Sequence, residues 1–110
     1  MHITFESFNE PMGYEALTIA AAVQSPTAAK IFVPNTNKRA AKALVTAGGP
    51  AVSTDGIRFT VDGTAPVSAT TGHFLPAGQS MWIEGPGNIT KLKMIREGSN
   101  SVIVSLTYFN

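Results

Sequence analysis

The chain contains no cysteine, so neither disulfides nor thiolate metal sites are available and packing alone must hold the fold. That suits a reducing cytoplasm or an assembly matured within one. Charge is also scarce: Asp, Glu, Lys and Arg make up 14% of the 110 residues, about half the usual ~25%. A surface this poor in charge suits burial against neighbours, although abundant Ala, Gly, Ser and Thr also give a neutral surface that needs no partner. Eight basic residues against seven acidic leave a net charge of +1 with no dense basic cluster. The electrostatic footprint of a nucleic-acid binder is therefore missing. No apolar run approaches the ~20 residues that span a bilayer as a helix. The opening MHITFESFNEPM has neither the basic start nor the apolar stretch of a signal peptide. No nucleic-acid or membrane partner is expected.

The residue sets of common catalysis are missing as well. Hydrolysis and group transfer need a nucleophile with a positioned base, two converging carboxylates, or an open metal site. Here Asp55 and Asp62 fall in glycine turns, and Glu84 and Glu97 at strand ends. No serine sits in a Gly-x-Ser-x-Gly elbow, and Gly48-Gly49 runs into Pro50 without the Lys-Ser/Thr pair of a phosphate loop. His73 follows Gly72 with no second ligand at metal spacing, so it reads as a structural residue. No catalytic residue, cofactor or metal ligand is assigned, and the chain is expected not to be an enzyme.

What is present is a series of short strands and turns. In Ile57 to Leu75, IRFTVDGTAPVSATTGHFL, the residues Ile57, Phe59 and Val61 alternate with Arg58, Thr60 and Asp62, as in a strand with one covered face. Asp-Gly-Thr-Ala-Pro then ends it. Gly63 permits a positive φ, the Asp62 carboxylate can accept a nearby N–H, and Pro66 cannot donate to a ladder.

Residues 2–8 could alternate as a short edge strand before Asn9, Pro11 and Gly13 interrupt regular structure, making 1–13 an N-terminal arm. Such an arm, with Ile3, Phe5 and Phe8, would pack on another subunit or cover its own sandwich edge. Tyr14 to Val23 is read as a strand stopped by Ser25-Pro26. Ile31-Phe32-Val33 is read as a brief strand before the loop Pro34 to Asn37. Ala41 to Ala47 is read as a strand even though helix formers surround it, because Leu44 and Val45 build no amphipathic face. Lys38, Arg39 and Lys42 form a local basic group, a solvated rim or a contact to an acidic partner. Thr64 to Gly72 reads as an exposed loop, and Leu75 to Gly78 as a type I turn. Ser80 to Glu84 reads as a strand, with Trp82 either core packing or a ligand platform. Gly85 to Asn88 should turn the chain. Ile89 to Arg96 reads as a strand whose parity fails at Ile95, and Glu97 to Asn100 as a hairpin connection. The last strand, Val102 to Phe109, places Val102, Val104, Leu106 and Tyr108 on the inner face. Short strands at regular intervals without a long helix predict one all-β domain, an antiparallel β-sandwich or a jelly-roll-like barrel.

The second half of the chain resembles a group of small virion proteins of tailed phages. The resemblance lies in Ile57 to Phe59, the Asp-Gly-Thr-x-Pro turn at Asp62 to Pro66, and the Gly-His-x-Leu step at Gly72 to Leu75. It continues through Ile-Glu-Gly at Ile83 to Gly85, Ile-Arg-x-Gly at Ile95 to Gly98, and the ending Thr-Tyr-Phe at Thr107 to Phe109. It implies a β-rich capsid decoration, or cement, protein of the phage head, made in the host cytoplasm. Its partners would be the major capsid protein and further copies of itself, with a homotrimer expected, because symmetric oligomers make several weak contacts at once. The interface residues expected on this reading are Ile3, Phe5, Phe8, Lys38 and Arg39. A tail or head-tail connector position is an alternative. Met1 to about Lys42 has no counterpart in the resemblance.

The same Asp-Gly-Thr-x-Pro strand end is similar to the DGS-x-PT turn of immunoglobulin-like modules attached to bacterial carbohydrate-active enzymes. That likeness implies a carbohydrate-binding or spacer module, which would be expected to travel with a linker and a larger neighbour. Trp82 separates the readings, since a sugar platform has to be exposed to solvent.

Overall fold

A computed structural model describes residues 10–36, 38–48 and 55–110 of the chain. Two antiparallel sheets face each other as a β-sandwich. The larger sheet contains β1 (Pro11–Ile19), β2 (Lys42–Ala47), β5 (Ser80–Glu84) and β7 (Val102–Phe109), in the order β1-β7-β2-β5. The smaller contains β3 (Gly56–Thr60), β4 (His73–Pro76) and β6 (Lys93–Arg96), in the order β4-β3-β6. Two short helices, α1 (Ala28–Ile31) and α2 (Pro86–Thr90), complete the elements.

The core follows from strand parity. Val102, Val104, Leu106 and Tyr108 of β7 are buried, as the alternation requires, and Ala43, Val45 and Ala47 of β2 lie beside them. Across the sandwich they meet Ile57, Leu75 and Met94 of the smaller sheet, with Phe59 and Val61 partly buried against the same core. At the strand end Gly63 has φ +90° and Asp62 Oδ1 accepts the Thr64 N–H at 2.9 Å, the turn mechanism that its sequence implies. Gly56 also needs to be glycine. Its φ is +150°, and a Cβ there would overlap the Leu75 carbonyl oxygen and approach Phe74 Cε1 to 2.8 Å.

Several local expectations are corrected. Pro11 and Gly13 do not interrupt the chain but begin β1. Proline is tolerated at the first strand position, and a register shift between Pro11 and Gly13 absorbs Met12. Residues 11–13 of the expected arm therefore belong to the larger sheet, and residues 1–9 lie outside the described residues. The strand read from Tyr14 to Val23 stops at Ile19, and the chain then crosses to the smaller sheet, where Gln24 exchanges both backbone hydrogen bonds with Met94. The brief strand expected at Ile31 to Val33 is instead one turn of helix followed by a single bridge from Phe32 to Arg39. Ala28, Ala29 and Lys30 are good helix formers. Pro76 belongs to β4, so the turn shifts by one and closes with Gln79 N–H to the Pro76 carbonyl at 3.1 Å.

The turn at Gly85 to Asn88 is the start of α2, with proline in its first turn, where no N–H is needed. Ile89 and Leu92 are buried from the helix and its exit, so β6 begins only at Lys93 and the irregular parity before Ile95 disappears. Glu97 to Asn100 is not a hairpin: β6 and β7 lie in different sheets, and this segment connects them. The strands at 80–84 and 102–109 match their expected bounds, and Ala41 to Ala47 is strand from Lys42 onward.

Candidate functional site

The outward row of the larger sheet departs from the usual rule that an exposed face is polar. On β1 it presents Tyr14, Ala16 and Thr18; on β7 Ile103, Ser105, Thr107 and Phe109; on β2 Lys42, Leu44 and Thr46; and on β5 Ser80, Trp82 and Glu84. The register aligns Tyr14, Thr107, Leu44 and Trp82 in one line across all four strands. Tyr14 is 54% exposed, Trp82 50% and Ile103 55%. The Trp82 and Phe109 rings lie 5.5 Å apart at 50°, and Lys42 Nζ stands 4.8 Å from the centre of the indole ring. Hydroxyl pairs fill the rest, with Thr46 Oγ1 and Ser80 Oγ at 2.8 Å and Tyr14 Oη and Ser105 Oγ at 3.1 Å.

Charge on this face is confined to Lys42 and Glu84, which are directly opposite each other at one end. Such a surface can bind by apolar contact and by donating or accepting a few hydroxyl hydrogen bonds. It has little means of doing covalent chemistry.

Two polar networks tie elements together, the first behind this face and the second on the smaller sheet. The buried Tyr108 hydroxyl donates to Glu15 Oε2 at 2.5 Å, while Thr27 donates to the same carboxylate through its N–H at 3.0 Å and its hydroxyl at 2.6 Å. Burial works to raise the Glu15 carboxyl, but the bonds from Thr27 and Tyr108, with Lys30 nearby, outweigh it and hold the group below its ordinary value. Burial, and then the bond to Glu15, push the Tyr108 phenol well above its ordinary value. On the smaller sheet Arg58 pairs with Glu97 at 2.8 Å and donates to the Gly72 carbonyl at 3.0 Å, with its guanidinium 5.8 Å from the Phe74 ring. Glu97 also accepts the Ala69 N–H at 2.9 Å. The bond from Arg58, followed by that from Ala69, holds its carboxyl low.

Of the residues expected at an interface, the two that are described, Lys38 and Arg39, do not lie on this face. Ile3, Phe5 and Phe8 lie outside the described residues. Lys38 and Arg39 are exposed at the sandwich end, where the Arg39 guanidinium lies 4.8 Å from the Phe32 ring centre. Lys42, grouped with them by sequence, belongs to the sheet face instead. Arg39 and Phe32 border an apolar groove of about 470 Å³ between α1 and α2, floored by Ala40 and Ile89.

Sequence reasoning missed Tyr14 and Leu44 as surface residues, and although the alternation of the last strand puts Ile103 and Phe109 on its outer row, that row was not read as a docking surface. The signal was available in the last strand, whose outer row, Ile103-Ser105-Thr107-Phe109, is itself half apolar. Trp82, expected mainly as packing, is half exposed.

A second, polar cleft of about 350 Å³ is bordered by Thr60, Asp62, Thr64, Thr71 and His73. Its groups are occupied locally: the Thr60 hydroxyl donates to the Thr64 carbonyl, Asp62 receives the Thr64 N–H, and His73 lies 5.5 Å from the Phe59 ring. Among the described residues no group of three or more His, Asp or Glu side chains stands close enough to hold a metal ion, and no helix is long and apolar enough to cross a membrane. Comparison with protein-family models, with curated proteins and with solved structures finds no match to the chain.

Proposed function

We propose that this protein is a passive docking component of a tailed-phage particle, a decoration protein that seats on the head shell through the outer face of its larger sheet. The observation that carries the reading is the line Tyr14, Thr107, Leu44, Trp82, with Phe109 and Ile103 beside it, left uncovered on an otherwise ordinary sandwich. Scattered apolar residues on a surface need no explanation, whereas a contiguous group rimmed by hydroxyls marks an interaction surface. Aromatic anchors supply most of the energy of such contacts. The resemblance of the second half to phage virion proteins supplies the partner, the major capsid protein, and the expectation of a trimer.

Attachment to expanded shells that lack the protein tests the proposal. Purified protein is expected to bind such shells and to raise their resistance to heat and low salt. Trp82→Glu is expected to abolish binding while leaving the protein's own thermal midpoint within a few degrees, because the indole is half exposed. Wild-type protein that neither attaches nor stabilises the shell removes the cement role. A second reading is favoured by Trp82 alone. Its exposed indole, beside the Ser80 and Thr46 hydroxyls, is also the form of a sugar platform. Quenching or a blue shift of Trp82 fluorescence on adding oligosaccharide, with no attachment to shells, supports that reading in place of the first.

A further inference from the structure

A sheet has two edges, and the unpaired N–H and C=O groups along each are open to a further strand unless something guards them. Three of the four edges here are guarded. Along β1 the Tyr14 carbonyl accepts from Lys30 Nζ at 3.3 Å and the Thr18 carbonyl from Gln24 Nε2 at 2.6 Å. Along β6 Gln24 exchanges both backbone bonds with Met94, and the Arg96 N–H donates to the Ala20 carbonyl at 3.1 Å. The edge of β4 is short and carries Pro76, which has no N–H to offer. Pro76 faces that edge because its neighbour Ala77 donates inward, to the Asp55 carbonyl at 3.0 Å.

The fourth edge belongs to β5, the outer strand of the larger sheet beyond β2. Its bonds to β2 come from alternate residues. The Gly85 N–H donates to the Ala41 carbonyl at 2.7 Å and the Ala47 N–H to the Gln79 carbonyl at 3.0 Å, which puts Met81 and Ile83 in the same inward-bonding set. The N–H and C=O groups of Ser80, Trp82 and Glu84 therefore point away from the sheet. Among the described residues, one group bonds to them: Asn88 Nδ2 donates to the Glu84 carbonyl at 2.8 Å and leaves that oxygen's second lone pair. The strand Ser-Met-Trp-Ile-Glu contains neither proline nor lysine, the residues that usually blunt an edge. We propose that the strand filling this edge is β5 of a second copy, antiparallel to the first about a twofold axis through Trp82.

Self-pairing matches the strand's chemistry at every position. It sets Ser80 opposite Glu84 of the second copy, Met81 opposite Ile83, and Trp82 opposite Trp82. On the outward side each carboxylate meets a hydroxyl and the two indoles come side by side. On the inward side, where Met81 is partly buried and Ile83 buried, apolar meets apolar. A shift of two residues would leave one edge residue of each copy unpaired, whereas this register uses all three. The twofold axis stands normal to the sheet, so both outer faces stay on one side and the line from Tyr14 to Trp82 continues into the second copy. An isologous contact joins copies in twos, so it lies between trimers wherever the expected trimer forms.

The absence of cysteine makes a direct test of the register simple. Full chains carrying Ser80→Cys and Glu84→Cys, both at exposed positions, are mixed in equal amounts and equilibrated in a glutathione redox buffer. The pairing puts residue 80 of one copy about 5.5 Å from residue 84 of the other, within disulfide reach. Like residues stay about 14 Å apart. The mixed disulfide dimer is expected at least tenfold over the two like-with-like dimers together. Random collision gives equal amounts and overturns the proposal. So does a predominance of either like-with-like dimer, or no interchain disulfide when circular dichroism shows both variants folded. Charge tests the same register without a crosslink. In light scattering at rising concentration the wild-type mass is expected to double. Ser80→Lys, facing Glu84, is expected to lower the concentration of half-doubling about two- to tenfold, and Ser80→Glu to raise it by a similar factor. A wild-type mass that never doubles, or shifts of the same sign in the two variants, also overturns the pairing. No shell enters either experiment, so neither result bears on shell attachment, and failed attachment leaves the pairing in place.

Discussion

Tyr108 is a buried residue with a polar end, and its consequences come from where that end points. With no exposure to solvent, its hydroxyl has to be bonded inside the protein, and Glu15 provides the acceptor that also holds Thr27. One carboxylate thus joins β1, β7 and the start of α1. Replacing Tyr108 by Phe is expected to cost about 1–2 kcal/mol in denaturant unfolding, the usual penalty for removing one member of a partly buried polar pair. The same carboxylate makes a pH prediction. Its folded value lies below its ordinary one, so its stabilisation is present above the ordinary carboxylate range and is lost as pH falls through the folded value. Glu97 and Asp62 are depressed as well, the first chiefly by Arg58 and the second chiefly by the Thr64 N–H, so acid weakens the protein at several places together. Glu15→Gln isolates one of them. The gap in thermal midpoint between wild type and Glu15→Gln is expected to be widest near pH ~6–7 and to narrow below pH ~4, measured by circular dichroism. A gap that stays constant across that range would remove the carboxylate's charge from the explanation.

At the scale of the element, β7 organises the larger sheet, because it pairs with β1 on one side and β2 on the other and sends four side chains into the core. Leu106→Ala is expected to destabilise by roughly 2–5 kcal/mol, whereas Ile103→Ala, on the same strand but facing out, should change stability by no more than about 0.5 kcal/mol. Chemical denaturation of the two variants checks the contrast. The strand was legible in the sequence for the same reason that it matters: alternation over eight residues leaves one parity for the core. Ser80 to Glu84 and the strand beginning at Ile57 were legible because turn residues bound them. The two helices were not. Ala28 to Ile31 and Pro86 to Thr90 are each a single turn, too short for a 3.6-residue period to register. What fixes them is tertiary, the burial of Ile31 and Ile89 at the end of the core. The link at Glu97 to Asn100 has hairpin composition, yet the choice between turning within a sheet and crossing to another is made by contacts far along the chain. Half of the candidate surface was visible in Trp82 and in the outer row of the last strand. The rest needed the pairing of β2 between β5 and β7, which places Leu44 between Thr107 and Trp82 and which no local pattern encodes.

For the whole molecule, the face decides how it would hold a shell. Its apolar line has one charged pair at its end, so the attraction is chiefly burial of apolar area and depends little on ionic strength. Attachment to shells is expected to change less than about threefold between roughly 50 and 500 mM salt, and calorimetry is expected to give a negative heat-capacity change. Number of copies then sets the response to damage. Removing a half-exposed aromatic anchor costs about 2 kcal/mol per contact, close to 30-fold in affinity. A monomer binding alone should show that 30-fold loss on Trp82→Ala. A trimer that seats three faces together loses about the same factor at each face, so its attachment should collapse at concentrations where wild type saturates the shell. Titrating wild type and Trp82→Ala onto empty expanded shells, with the mass of the free protein taken from light scattering, separates the two. A 30-fold shift with a monomeric mass would overturn the expected trimer and leave the docking face in place.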